Sequence, residues 1–373
     1  YTDFFIEISN SLFDTNFNPL NLILPIGISF YTFENLSYTV DVYRGEFKPA
    51  DKFSDYLLFL AFFPKLMMGP IVRAHDFVPQ INEPYVISER DFAKGFFLII
   101  SGLIKKLVIS DYITLNMVDY MFDNPALHTG VENLMAVYGY AMVIYCDFSG
   151  YSEIAIGIAL WLGFKIPPNF MSPYQSLNIT EFWRRWHISL GSWFREYLYI
   201  PLGGNRKGII RTYLNLVAVF FFTGLWHGAD LSFIIWGLYH GFFTILERAG
   251  FKKILDKSKI LSTMATFCVV TIGWVMFRAN DTLSGLRYIA RMLMPWHYHG
   301  NGIGALSYLD SKIVFIFICA AFGMGIMQSI IPEAIKKKWS GSTVEALYCV
   351  FILIVCLGSV ASGTYNPFIY FQF

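Results

Sequence analysis

The chain alternates long stretches without a charged residue and short, charged connections. Charge-free runs cover residues 15–33, 212–229, 231–246, 260–277, 313–332 and 346–373. Several approach or exceed the roughly 20 apolar residues that one helix needs to cross a bilayer. Further apolar stretches lie at residues 56–72, which hold Lys65, at 95–104, and at 133–164, which Asp147 and Glu153 interrupt. The pattern predicts an all-α polytopic membrane protein of roughly eight to ten segments, some tilted or broken. Neighbouring helices can satisfy the backbone that Pro and Gly leave open.

Residues 181–201 follow another rhythm. At about 100° per residue, Phe182, Trp186, Leu190, Trp193 and Tyr197 fall on one stripe, with Glu181, Arg184, Arg185, Ser192, Arg195 and Glu196 opposite. One amphipathic helix lying at the membrane interface is expected here. The Gly203-Gly204-Asn205 sequence beyond it reads as a helix-terminating turn.

Composition removes the soluble alternative: 55% of residues are hydrophobic, 18% aromatic and only 15% charged, a surface that water could not solvate. A net charge of +1 gives no footprint for nucleic acid. Cys146, Cys268, Cys319, Cys349 and Cys356 sit in apolar runs without a CxxC pair. They read as buried free thiols, not a disulfide framework. No linker or soluble domain divides residues 1–373, which read as one membrane domain. The basic loops at 205–211, 248–259 and 336–338 are all compatible with the cytoplasmic side, although residues 278–312 also carry arginines. Residues 212–246 read as two segments meeting at Asp230, or as a re-entrant arrangement.

Two histidines carry the candidate chemistry. His227 closes a charge-free run inside Gly224-Leu225-Trp226-His227-Gly228-Ala229, and an ionisable residue at membrane depth is a functional candidate by default. A neutral imidazole there could take a proton from a hydroxyl attacking a thioester, and the flanking glycines would let a substrate approach closely. The same place also suits a structural histidine bonded across helices. His187, at the edge of the amphipathic stripe, either points into a cavity or packs as a surface histidine.

His240 reads as structural. His297 and His299 have no acidic or cysteine partner nearby, so no metal is called for. Asp147 and Glu153, six residues apart, face different sides of a helix and read as buried polar anchors. The chain has no Gly-x-Ser-x-Gly elbow, which argues against a self-contained serine hydrolase.

Several separated stretches resemble the membrane-bound O-acyltransferase (MBOAT) family, in its bacterial alginate O-acetyltransferase-like branch. They are Gly69-Pro70-Ile71-Val72-Arg73, Asp147-Phe148-Ser149-Gly150-Tyr151-Ser152, EFWRRWHISLGSWFREYLYIPLGGNR at 181–206, and GLWHGA at 224–229. Trp236-Gly237, His240-Gly241 and the terminal NPFIYFQF add to them. Glu196 stands where the family more often has Asp, and Gly191 where Ser or another small residue is common.

The resemblance implies a ring of tilted transmembrane helices, with interfacial and re-entrant helices, around a thinned centre. It makes His227 the catalytic histidine and His187 the second histidine of the active site. Trp186 and Trp226 are expected to wall the tunnel, and Arg184, Arg185 and Arg195 to contact the anionic donor or lipid phosphates, unless they form only a solvated face. No cofactor is held permanently. The implied donor is an acyl thioester, acetyl-coenzyme A or an acyl carrier. The implied acceptor is an extracellular or cell-wall polysaccharide, reached with the help of an extracellular SGNH, serine-esterase-like partner. The implied location is the bacterial cytoplasmic membrane, in a multi-pass arrangement lacking the family's N-terminal helices. D-alanyl transfer to teichoic acids is the neighbouring alternative. From other classes come a proton-coupled transporter, for which no inverted repeat is detectable, and a silent scaffold.

Overall fold

The computed structural model describes residues 2–20, 25, 27–251, 258–294, 314, 316, 343–361 and 368. Among these, every regular element is helical: α1 (Thr2–Phe13), α2 (Ile28–Arg44), α3 (Phe53–Ala61), α4 (Ala74–Asn82), α5 (Glu89–Leu103), α6 (Asp111–Ile113), α7 (Asp119–Asp123) and α8 (Gly130–Trp161). There follow α9 (Ile179–Arg185), α10 (Ile188–Phe194), α11 (Ile209–His227), α12 (Leu231–Leu246), α13 (Lys259–Arg278), α14 (Thr282–Met292) and α15 (Thr343–Ala361). Two π-helical stretches, Ile104–Ser110 and Thr114–Val118, join α5, α6 and α7 into one long rod.

That rod packs against α8, the longest helix, which starts in a capping box made by Thr129 and Glu132. Their backbones nearly touch: a Cβ on Gly102 would lie 2.4 Å from the Gly150 carbonyl oxygen, and one on Gly157 would lie 2.5 Å from that of Gly95. Small residues at such crossings let helices approach where apolar surroundings supply no hydrophobic drive. The approach brings two consecutive lysines onto α8. Lys106 Nζ sits 2.8 Å from Asp147 and 2.8 Å from Asp111, and Lys105 pairs with Glu153. Asp147 and Glu153 are thus anchors answered by lysines of the facing rod, and a buried charge without such an answer would be costly.

The largest apolar core gathers α8, α9, α12 and α13 around Tyr145, Phe182, Trp186, Trp236 and Trp274. A second cluster joins α2, α8 and α10 through Phe33, Phe148, Leu190 and Trp193. Among the described residues, three helices are long and apolar enough to cross a membrane: α8, α11 and α13. Among the described residues this is fewer than the apolar runs suggested, because α12 is short and the α5 rod carries buried charge.

Other expectations change shape. Run 15–33 does not form one helix; α2 begins only at Ile28 and carries buried Glu34 and Asp41. Glu34 pairs with Lys65, and both oxygens of Asp41 accept from the Tyr197 hydroxyl, at 2.7 and 2.8 Å, so tertiary partners rather than local apolarity set this helix. Run 56–72 breaks after α3 into a 3₁₀ turn at Phe63–Lys65. Cys268 is exposed, not buried, because an apolar residue on a spanning helix can face lipid as well as core. The split at Asp230 is present: its side chain accepts from Ser232 N at 2.7 Å and opens α12. Runs 313–332 and 362–373, apart from residues 314, 316 and 368, lie outside the described residues, as do His297, His299, Cys319 and the lysines at 336–338.

Candidate active site

The expected single helix over 181–201 is two helices meeting at an elbow. The side chain of Asn178 caps α9 by accepting from Glu181 N at 2.8 Å. Glu247, just past α12, accepts from the Ile179 and Thr180 amides and from the Thr180 hydroxyl. These bonds satisfy amides that a helix start leaves open, and they tie α9 to α12. The chain then turns extended at Trp186, and His187 takes a left-handed conformation, φ 45° and ψ 55°. For a residue with a Cβ this costs about 1–2 kcal/mol, so tertiary contacts must hold it. The stripe stays buried across the elbow at Phe182, Trp186, Leu190 and Trp193, which is why periodicity alone read it as continuous.

Asn169, in the irregular segment before α9, supplies that hold and is only 1% exposed. Its carbonyl oxygen accepts from the Ile188 amide at 3.0 Å. Its side-chain oxygen accepts from the Ser189 amide and hydroxyl at 3.2 and 2.7 Å, and stands 3.3 Å from His187 Nδ1. The His187 ring is 2% exposed, edge-on to Phe148 at 4.6 Å and near Trp226 at 6.1 Å.

His227 reaches the same place from the end of α11. A Cβ on Gly224 would lie 2.3 Å from the Phe233 carbonyl oxygen, and one on Gly237 would lie 2.2 Å from that of Phe220. Only helices lacking those carbons can run this close. The result sets the His227 ring edge-on to Trp236 at 4.9 Å, with Trp226 at 4.8 Å and Phe277 at 5.2 Å. His227 keeps partial exposure, unlike His187. The Trp226 indole stands against both imidazoles. Two imidazoles set against one indole, within aromatic walls that exclude water, can support proton transfer and orientation of a hydroxyl.

The other candidates separate. Trp226 lines the site, whereas Trp186 packs into the aromatic core against Phe182, Phe170 and Trp274. Arg184 and Arg195 are exposed. Arg185 bonds Glu181 at 2.6 Å. His240 is fully buried against Trp183 and Gly273. Among the described residues no His, Cys, Asp and Glu cluster could hold a metal ion.

Sequence reasoning missed Asn169, Ser189 and Phe277. Asn169 follows Pro167-Pro168 in a stretch with no periodicity, so only its proline-marked break hinted at a functional turn.

Residues 51–277 match the model of the MBOAT, membrane-bound O-acyltransferase family. The chain is 37% identical to a probable alginate O-acetylase of Pseudomonas putida, across 95% of this chain and 76% of that protein. It is 40% identical to a peptidoglycan O-acetyltransferase of Helicobacter pylori, across 79% of this chain and 61% of that protein. A teichoic acid D-alanyltransferase of Bacillus subtilis is 32% identical across 75% of this chain and 72% of its own length. The family model covers more than half of the chain and the first relative aligns along nearly all of it, so this protein belongs to the membrane-bound O-acyltransferase family.

Proposed function

We propose that this O-acyltransferase takes an acetyl group from a cytosolic thioester and delivers it across the membrane for O-acetylation of an extracellular or cell-wall polysaccharide. The donor is acetyl-coenzyme A or an acyl carrier protein. The protein acts as a multi-pass ring of tilted helices in a bacterial cytoplasmic membrane, with an extracellular SGNH, serine-esterase-like partner completing the transfer. The observation that carries this reading is the meeting of His227 and His187 across Trp226, in a chain whose relatives include proteins named as alginate and peptidoglycan O-acetylating enzymes.

In this mechanism His227 takes the proton of an incoming hydroxyl as its oxygen attacks the thioester carbonyl. The new C–O bond forms, the C–S bond breaks, and the proton passes from His227 to the departing thiolate. His187 acts on the hydroxyl or on the developing charge. Trp226 excludes water, and Arg184 and Arg195, being exposed, are free to meet donor or lipid phosphates. D-alanyl transfer is the neighbouring reading, supported by a relative of lower identity. The transporter reading, a proton relay through His227, Asp147 and Glu153, is disfavoured, since both carboxylates are bound to lysines.

The test is the ester content of the surface polysaccharide in cells carrying the full-length protein or His227→Ala at matched membrane levels. Loss of O-acetyl groups supports the reading, and loss of D-alanyl esters moves the protein to teichoic acid chemistry. Unchanged esters of both kinds would remove His227 from catalysis.

A further inference from the structure

Three of the stretches that carry the family resemblance converge on a residue that belongs to none of them. The Ser189 amide points at the Asn169 side chain at 3.2 Å, and an amide N–H can only donate, so the atom facing it is the carboxamide oxygen. The Ser189 hydroxyl donates to that oxygen at 2.7 Å and accepts from the Ile71 amide at 2.9 Å. The carboxamide nitrogen faces the other way and donates to the Ser152 hydroxyl at 3.4 Å. Asn169 therefore cannot flip without breaking bonds to the elbow and to α8.

With that oxygen fixed 3.3 Å from His187 Nδ1, Nδ1 carries the proton, because a carbonyl oxygen can only accept. In the neutral ring Nε2 is then a bare lone pair. It is buried and has no hydrogen-bond partner among the described residues. A buried acceptor left open is costly unless something fills it. The phenyl rings of Phe30 and Phe148 beside His187 carry no hydrogen-bond donor, and the Trp226 indole, whose N–H could donate, makes no hydrogen bond to Nε2. Among the described residues, His227 is the titratable side chain set against the same Trp226 indole as His187.

We propose that Asn169 is a positioning residue that locks His187 in its left-handed backbone and in the Nδ1–H tautomer. This makes His187 a hydrogen-bond acceptor for the incoming hydroxyl rather than a donor to the developing oxyanion. The inference rests on the acyl-transfer reading and decides between the two roles open to His187. The hydroxyl has a single proton, which is held hydrogen-bonded to Nε2 as the hydroxyl docks and then turns to His227, which removes it as the oxygen attacks the thioester carbonyl. A partner that fixes the tautomer of an imidazole is a recurring device in catalysis, worth about 10- to 100-fold where such support is removed around metal-bound histidines and more in hydrolytic triads.

The experiment uses permeabilised cells supplied with acetyl-coenzyme A and retaining their own acyl carrier, acceptor and partner, with the full-length protein expressed at matched membrane levels. Ester formation is followed between about pH 5 and 8, where an imidazole titrates. Asn169→Leu is expected to lower the rate about 10- to 100-fold. Asn169→Asp keeps every acceptor bond but adds a charge beside Nδ1–H. It is expected to retain activity while the acid limb of the pH profile moves upward by about one unit, because a nearby carboxylate favours the imidazolium. A merely structural role for Asn169 would leave that limb in place.

If Asn169→Leu fails to accumulate, Asn169→Asp alone decides. An Asn169→Asp profile that superimposes on the wild type, or an Asn169→Leu enzyme of full rate, overturns the proposal. His227→Ala run alongside separates the two ideas: full ester formation there removes the acyl-transfer mechanism itself. An inactive His227→Ala with an unshifted Asn169→Asp removes only the role given to Asn169.

Discussion

A single methyl group at Gly237 reports whether the spacing of α11 and α12 sets the catalytic geometry. In Gly237→Ala the new carbon would sit 2.2 Å from the Phe220 carbonyl oxygen, with the backbone of Gly224 at 3.1 and 3.2 Å behind it. Those atoms belong to a helix and cannot swing aside as a flexible side chain would. Ordinary contact begins near 3.4 Å, so the helices must part there by about 1.2 Å. His227 lies three residues from Gly224, on the strand of contacts that ends at Trp236. A misplacement of about 1 Å at a reacting group costs on the order of 100-fold in rate. The stability cost of overpacking is about 1–3 kcal/mol.

The assay is ester formation per inserted molecule, with membrane levels matched, and Gly191→Ala serves as control. At Gly191 the added carbon would meet only the Trp183 carbonyl oxygen at 3.4 Å, so full activity is expected. Gly237→Ala with wild-type turnover would refute the claim that this close approach positions His227. A Gly191→Ala enzyme as impaired as Gly237→Ala would show that a methyl group at an exposed position away from this helix contact is just as harmful, which would equally defeat the reasoning.

Two stability predictions follow from charges and caps. Lys106→Met leaves Asp111 and Asp147 without the ammonium that lies 2.8 Å from each, and should destabilise the fold by about 3–5 kcal/mol. It is measured as lost thermal stability in detergent, with an unchanged melting temperature as the contrary result. Glu247→Ala removes a carboxylate shared by the Ile179 and Thr180 amides and should cost about 1 kcal/mol. Proteolytic sensitivity of the α9 region should rise with it; equal cleavage rates would deny that Glu247 caps α9.

What the sequence by itself determined follows from local rules. Run 231–246 became α12 at the same two residues, because an uncharged apolar stretch bounded by Asp230 and Glu247 has one stable form in an apolar environment and carries its own cap. Run 260–277 became α13 for the same reason. His227 stood out because an ionisable group at membrane depth demands an explanation, and the buried stripe of residues 181–201 was legible from its period.

Tertiary structure decided the rest. Glu34 and Asp41 could enter α2 only because Lys65 and Tyr197 wait for them from distant parts of the chain. The apolar period ran straight through residue 187, yet the helix breaks there, since periodicity records which side chains seek burial and not which backbone bonds compete. The bonds that win come from Asn169, eighteen residues upstream. A left-handed histidine costs energy locally, and only contacts gathered by folding can supply it. The site is therefore named by its histidines in the sequence, and shaped by an asparagine that only the folded chain brings to them.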